Sequence, residues 1–182
     1  ILPEAKDYKR VGEGDTGPNT GGMGAISPVP FATPSLMKKI EERVIKPTVA
    51  GLSKEGLEYR GFIFLGLMVE DDEPYMIEYN CRMGDPETEV VIPRIKNDLV
   101  EVFTAATTQQ LDKINIETDS RTTATVVAVS GGYPGDYKKD IEIKGLGDIN
   151  PDDSILFHMG TTEKEGKVVT NGGRVFCITS YG

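Results

Sequence analysis

The stretch "MIEYNCRMGDPE", Met76 to Glu87, gathers the residue types best suited to chemistry. Side chains alternate along a strand, so Ile77 and Tyr79 point one way while Glu78, Asn80 and, if the strand persists, Arg82 point the other. Glu and Asn at this spacing are hard oxygen ligands suited to Mg²⁺, which keeps several waters and bridges phosphate oxygens. An arginine just beyond them can stabilise charge on a transferring phosphoryl group. Metal plus arginine suggests nucleotide chemistry. A solvated strand face on which Glu78 pairs with Arg82 is the competing reading of the same pattern.

Asp85 and Glu87 follow in "GDPE". Acids at a helix mouth cap it and meet its dipole, and Pro86 suits the first turn, so a structural cap is one reading. Carboxylates beside a metal site can also hold the ammonium group of an amine substrate. Upstream, "AKDYKRVGEGDTGPNTGGMG" sets Lys9 and Arg10 beside a Gly-rich loop whose successive N–H groups can form an anion-binding nest. The loop matches neither common nucleotide fingerprint, and a mobile turn is the alternative. His158, the only histidine, lies in the apolar "SILFHMG" and reads as a packed core residue. A catalytic triad or a histidine-based zinc site has little support.

These residues need elements to hold them. "TPSLMKKIEERVIKPTVAGLSKEG" predicts a helix capped by Thr33, with Pro34 at its first position and Leu36, Ile40 and Val44 on one face. Pro47 should kink or split it. A hairpin is expected from about Arg60 to Asn80, turning at Asp71-Asp72, its first strand apolar enough to be central. "DPETEVVIPRIKNDLVEVFTAATT" returns to helical spacing through Val91, Ile95, Leu99 and Val102, with a break near Pro93. A polar connection, about Gln109 to Arg121, leads into short β segments punctuated by Gly, Pro and Asp. The fold class is therefore α+β: an α+β portion over 1–110 and a β-rich, barrel- or sandwich-like portion over 111–182.

The 182 residues are 38% hydrophobic, enough for an ordinary core, and carry a net charge of -9, with no basic stripe for nucleic acid. No run of about 20 apolar residues or signal-like segment points to a membrane, so a cytoplasmic protein is expected. The two cysteines, Cys81 and Cys177, sit in unlike contexts and predict reduced thiols.

"DYKRVGEGDTGPNTGGMGA" together with "YNCRMGDPETEVVIPRIKNDLVE" resembles the phosphoribosylamine–glycine ligase family of the ATP-grasp superfamily. "SGGYPGDYKKD" and "FHMGTT…GGRVFCITS" are similar to that family's C-terminal domain. The resemblance implies a purine-biosynthesis ligase that joins 5-phosphoribosylamine and glycine. ATP would activate the glycine carboxylate as an acyl phosphate. It implies that Glu78 and Asn80 bind Mg²⁺ or Mn²⁺ and that Arg82 stabilises the transferring phosphate. Asp15, Asn19, Thr20, Gly21 and Gly22 would position substrate, and Asp85 and Glu87 would lie near the amine of glycine. Lys9 and Arg10 take the positions of anion-binding residues. "GFIFLGLMV" lacks the second metal carboxylate that many superfamily members carry on the preceding strand. The resemblance further implies a fragment lacking the family's N-terminal domain, lid and extreme C-terminus, inactive by itself, its Gly-rich loop mobile or exposed. Another ATP-grasp ligase or carboxylase, or a carrier-like binding module, is the alternative.

Overall fold

The computed structural model describes residues 1–182, which form two compact units. One comprises Ile1–Pro28, Asp85–Ile95 and Thr118–Gly182; the other comprises Val29–Gly84 and Lys96–Glu117. The chain thus alternates between them.

The first unit opens with β1 (Lys6–Asp7), β2 (Arg10–Gly12), β3 (Thr16–Asn19) and β4 (Gly24–Ser27). The supposed Gly-rich loop is therefore largely strand: β2 and β3 form a hairpin, and β4 pairs with β1.

The second unit begins with α1 (Pro34–Ile40), capped by Thr33, whose hydroxyl accepts from the Leu36 amide; Leu36 and Ile40 are buried. The helix does not stop at Pro47. It widens into a π-helical stretch, Glu41–Ile45, and continues as α2 (Lys46–Lys54). Pro47 has no N–H to donate, and a change of hydrogen-bond register just before it absorbs that loss without ending the helix. Next come β5 (Phe64–Glu70) and β6 (Glu73–Asn80), joined through Asp71 and Asp72, both at positive φ as a tight hairpin turn requires. β5 is not central, because its only strand partner is β6. Tyr75, Ile77 and Tyr79 on β6 are exposed, as is Met68 on β5. Lys39 of α1 holds Asp72 and Glu73 at 2.8 Å each and ties the helix to this turn.

Returning to the first unit, α3 (Thr88–Val91) runs into a 3₁₀ turn, Ile92–Arg94. α4 (Leu99–Thr107), capped by Asp98, belongs to the second unit. The stripe expected through Val91, Ile95, Leu99 and Val102 is therefore two helices, separated by extended backbone at Ile95 and serving two cores.

The remaining strands are β7 (Thr123–Val129), β8 (Ser154–His158), β9 (Thr161–Lys164), β10 (Lys167–Thr170) and β11 (Arg174–Tyr181). The main sheet is antiparallel, in the order β1-β4-β7-β11-β8, with β9 and β10 as a separate hairpin. The sheet of the β-rich portion is thus completed by strands from the chain's first 28 residues. Alternation along β7 and β11 buries Val127, Val175 and Cys177, together with Thr123, Thr125 and Thr179.

The buried hydroxyls have specific partners. Thr123 donates to Val90 O at 2.7 Å and Thr179 to Glu89 O at 3.0 Å, while the Tyr181 hydroxyl donates to Pro93 O at 2.8 Å. α3 has only four residues, so most of its carbonyls fall in its last turn, and the sheet supplies hydroxyl donors to those of Glu89 and Val90. This fixes how α3 presents its N-terminal residues. No helix is long and apolar enough to cross a membrane. Cys81 and Cys177 are both free, the first exposed and the second buried, and burial pushes the Cys177 thiol up to about 11.

Candidate functional site

β6 carries the two residues expected as metal ligands. Glu78 and Asn80 share a strand face, and Asn80 Nδ2 donates to Glu78 Oε1 at 3.0 Å. Space for Glu78 comes from Gly66, its cross-strand partner, where a Cβ would stand 2.9 Å from Glu78 Cγ. No carboxylate stands opposite: Phe64 faces Asn80, so β5 supplies no further ligand. The chain contains no cluster of three or more His, Cys, Asp or Glu arranged for a metal. The pair still fits Mg²⁺, which takes one or two protein oxygens and completes its octahedron with water and phosphate. Asn80 would turn its amide to present Oδ1.

Arg82 is not on that face, because β6 ends at Asn80. Its Nη1 donates to Met83 O at 2.8 Å, the side chain is exposed, and it forms no ion pair with Glu78 or any other acid. The pairing expected of a purely solvated strand face is absent.

Within the other unit, the Gly-rich segment meets "GDPE". Gly22 has φ +121°, and a Cβ there would run into Pro86 Cδ. Gly21 lies against the Arg174 guanidinium, which also binds Asp85 Oδ1 at 2.8 Å. Thus Gly21, Gly22, Asp85 and Arg174 come together. Asp15 does not join them; it is exposed at the tip of the β2–β3 hairpin, at positive φ. Asn19 pairs with Arg10 across the same hairpin, whose second strand is exposed throughout. The segment is therefore exposed through Asn19 and buried at Gly22, Gly24 and Ala25, where it becomes β4.

The expected anion nest is closed. The Thr20 amide donates to Lys9 O at 2.7 Å, Gly21 to the Tyr133 hydroxyl at 3.0 Å, Gly22 to Thr20 Oγ1 at 3.0 Å and Met23 to Tyr8 O at 2.7 Å. Successive amides engaged in this way hold the loop's shape and offer an anion nothing. Nor are the two cations free: Lys9 pairs with Asp7, and Arg10 donates to Gly17 O at 2.7 Å.

The acids around α3 form a graded set. Glu87, at the helix mouth, is 7% exposed and makes no side-chain cap bond. Burial raises its pKa, with Asp7 and Asp85 adding and Lys9 opposing. Glu89 is raised for the same first reason, and its Oε2 is buried without a hydrogen-bond partner. Asp85, Glu89, His158, Met159, Gly160 and Arg174 line a depression of about 350 Å³. His158 is thus not a packed core residue: it is exposed at the end of β8, with Nδ1 2.8 Å from Thr161 Oγ1. Two carboxylates, Asp85 and Glu89, flank one guanidinium in that depression, a balance that favours an amine over an anion. A larger depression of about 630 Å³, between Val129–Gly131 and Asp136–Ile141, contains none of the candidate residues.

The raised acids have a stability consequence. Folding favours their protonated forms, so their contribution is full below the unfolded pKa and is lost as pH rises through the higher folded values. In Glu87→Gln that loss disappears at one site. The gain in Tm over the unsubstituted chain should be larger at pH 7.5 than at pH 4; a difference independent of pH would contradict the burial of an ionisable carboxyl there.

Arg174 and Tyr133 escaped the sequence reading. The available signals were the glycine pair in "NGGR" and the tyrosine in "SGGYPG". A Cβ at Gly173 would collide with the Tyr133 ring, so that glycine lets the tyrosine lie where its hydroxyl reaches Gly21.

Comparison with known proteins agrees along most of the chain. Residues 1–88 match the family model "Phosphoribosylglycinamide synthetase, ATP-grasp (A) domain", and residues 123–182 match "Phosphoribosylglycinamide synthetase, C domain". Phosphoribosylamine–glycine ligase from Vibrio vulnificus strain CMCP6 is 48% identical over 185 residues, covering 100% of this chain and 43% of the relative. The bifunctional purine biosynthetic protein PUR2,5 of Pichia angusta is 47% identical, covering 98% of this chain and 23% of its own length. A crystal structure of phosphoribosylamine–glycine ligase from Thermotoga maritima aligns with a TM-score of 0.83 at 41% identity, over 100% of this chain and 44% of that one. The chain therefore spans less than half the length of these relatives.

Proposed function

Because this chain belongs to the phosphoribosylglycinamide synthetase family, matched in both its ATP-grasp (A) and C domains, we propose that it supplies part of an ATP-dependent carbon–nitrogen ligase joining 5-phosphoribosylamine and glycine. The observation that carries this reading beyond family membership is the Glu78–Asn80 pair on one strand face, followed by an arginine without an acidic partner.

In the proposed reaction a glycine carboxylate oxygen attacks the γ-phosphorus of ATP, and the bond to ADP breaks. The phosphoribosylamine nitrogen then attacks the activated carbonyl carbon, the carbon–oxygen bond to phosphate breaks, and the nitrogen loses a proton as the amide forms. Glu78 and Asn80 would hold Mg²⁺ or Mn²⁺, which would offset the repulsion between the triphosphate and the carboxylate. Arg82 places a guanidinium where charge develops on the transferring phosphoryl oxygens. Asp85 and Glu87 receive the amine end of glycine, and the Gly21–Gly22 turn, shaped by its own hydrogen bonds, forms the wall beside them. Asn19 and Thr20 support that wall. Thr20 does so directly, since its Oγ1 donates to Lys9 O at 2.8 Å. Asp15 and Arg10 have a more distant place in this reading, on the β2–β3 hairpin, while Lys9, which precedes it, is close enough to Glu87 to act on its carboxyl. The reading includes a cytoplasmic site of action, supported by phosphorylated substrates that do not cross membranes unaided.

The metal assignment has a direct test in a polypeptide of the relatives' length carrying this sequence. Asn80→Asp adds a charged oxygen, and the Mg²⁺ concentration giving half-maximal activity should fall several-fold. Glu78→Gln should raise it and lower kcat/KM by about 10²-fold, the loss of one transition-state electrostatic contact. Unchanged metal dependence in both variants would remove the pair from the site.

A further inference from the structure

We propose that Arg174 is a positioning residue that fastens the Gly21 turn to Asp85 and so sets the geometry of the amine-binding side of the site. The inference rests on the reading above, in which those two elements contact substrate.

Arg174 stands at the start of β11, far in sequence from both partners. Its Nη1 lies 3.1 Å from Gly21 O, 3.1 Å from Asp85 O and 2.8 Å from Asp85 Oδ1. One guanidinium end thus serves two segments that carry candidate substrate contacts. The side chain is the more buried partner, 20% exposed against 49% for Asp85, so the arginine belongs to the framework and the carboxylate to the surface it presents. A charge-assisted bond of this kind fixes direction as well as distance.

Gly21 is shaped to this contact. A Cβ there would stand 3.0 Å from Arg174 Cζ and 3.1 Å from both Nε and Nη2, so any side chain at this position would push the guanidinium back by a few tenths of an ångström. On its other side the Gly21 amide donates to the Tyr133 hydroxyl at 3.0 Å. Gly21 is clamped through both its N–H and its C=O, and Arg174 connects that clamp to the carboxylate. A lysine would keep the charge but not the planar fork.

The test is a double-mutant cycle in a polypeptide of the relatives' length that carries this sequence. kcat, the KM of each substrate and Tm are measured for Asp85→Asn, Arg174→Leu and the pair. If Arg174 acts through Asp85, each single change raises the KM of the same amine-bearing substrate by about tenfold, equivalent to one charged hydrogen bond. The KM for ATP stays within twofold, and the double variant is no worse than the worse single one. Gly21→Ala, which pushes the guanidinium aside without removing it, should give the same KM signature if Arg174→Leu fails to fold.

Three results would overturn the proposal. If Asp85→Asn raises that KM while Arg174→Leu and Gly21→Ala do not, the positioning role fails and the site assignment stands. If Asp85→Asn is itself silent, the site assignment has failed. Effects that multiply in the double variant would mean that Arg174 acts independently of Asp85.

Discussion

In a polypeptide of the relatives' length carrying this sequence, Arg82→Ala should lower kcat by about 10³-fold while leaving Tm unchanged and the KM for ATP within about tenfold. The size follows from when the contact matters, since a guanidinium aimed at a transferring phosphoryl group acts mainly in the transition state, where the charge it meets has developed. The lack of a stability effect follows from the local structure. Arg82 lies past the end of β6, is exposed, and makes a hydrogen bond only to the neighbouring carbonyl of Met83. Nothing in the core depends on it. Arg82→Lys should recover only part of the loss, because one ammonium cannot reproduce two parallel N–H donors. Near-normal turnover in Arg82→Ala would return the Glu78–Arg82 stretch to an ordinary solvated strand end.

The largest stability effect is expected at Arg94, in the 3₁₀ turn after α3. This arginine is 6% exposed. Its Nη1 donates to Ser27 Oγ at 2.6 Å, while Nε and Nη2 reach Asp119 O at 3.2 and 3.1 Å. Ser27 Oγ in turn donates to Glu4 O at 2.6 Å. A single side chain therefore ties β4, the chain before β1 and the approach to β7, the segments through which the N-terminal strands join the main sheet. Arg94→Ala would take the donor from the buried Ser27 hydroxyl, remove both N–H donors from the part-buried Asp119 carbonyl and open a cavity the size of the missing side chain. A loss of about 3–4 kcal/mol is expected, read from the urea midpoint at unchanged slope. Arg94→Lys should recover less than half, since it can reach one acceptor but not both. A loss below about 1 kcal/mol for Arg94→Ala would contradict this role.

Features carried by local pattern were legible in the sequence. Thr33, Pro34 and the Leu36–Ile40–Val44 face announced α1, and paired acids between two apolar runs announced the β5–β6 hairpin with Glu78 and Asn80 on a common face. Features set by distant partners were not. The segment from Lys6 to Ser27 has too few side chains in alternation to read as strands; it becomes β1 and β4 because β7, a hundred residues later, offers its edge. The apolar stripe from Val91 to Val102 misled because two faces serving separate cores happened to fall at helical spacing. β5 looked central because its residues are apolar, but apolarity does not reveal whether a second neighbour exists. His158 looked buried because its sequence neighbours are apolar, yet a side chain at a strand's end can turn outward. Arg174 carried no local signature, since its meaning lies in Gly21 and Asp85, each far away along the chain.

Strand alternation and residue type picked out Glu78, Asn80, Arg82, Asp85 and Glu87, the family resemblance added Asp15 and the Asn19–Gly22 turn, and the structure then sorted them. It paired Glu78 with Asn80, brought Gly21 and Gly22 to Asp85 and Pro86, and left Asp15 at an exposed hairpin tip. It also changed the role available to the glycines. With their amides already bonded, they act by permitting close approach of Pro86 and the Arg174 guanidinium, not by cradling a phosphate.

The acyl phosphate at the centre of the proposed reaction can be followed through an oxygen atom. A polypeptide of the relatives' length carrying this sequence is supplied with ATP, phosphoribosylamine and glycine labelled with ¹⁸O in its carboxylate. The released inorganic phosphate is then analysed by mass. If the carboxylate is activated as an acyl phosphate, each phosphate released with amide carries one labelled oxygen, and labelled phosphate forms far more slowly with Glu78→Gln. Phosphate released free of label during amide formation would contradict that route.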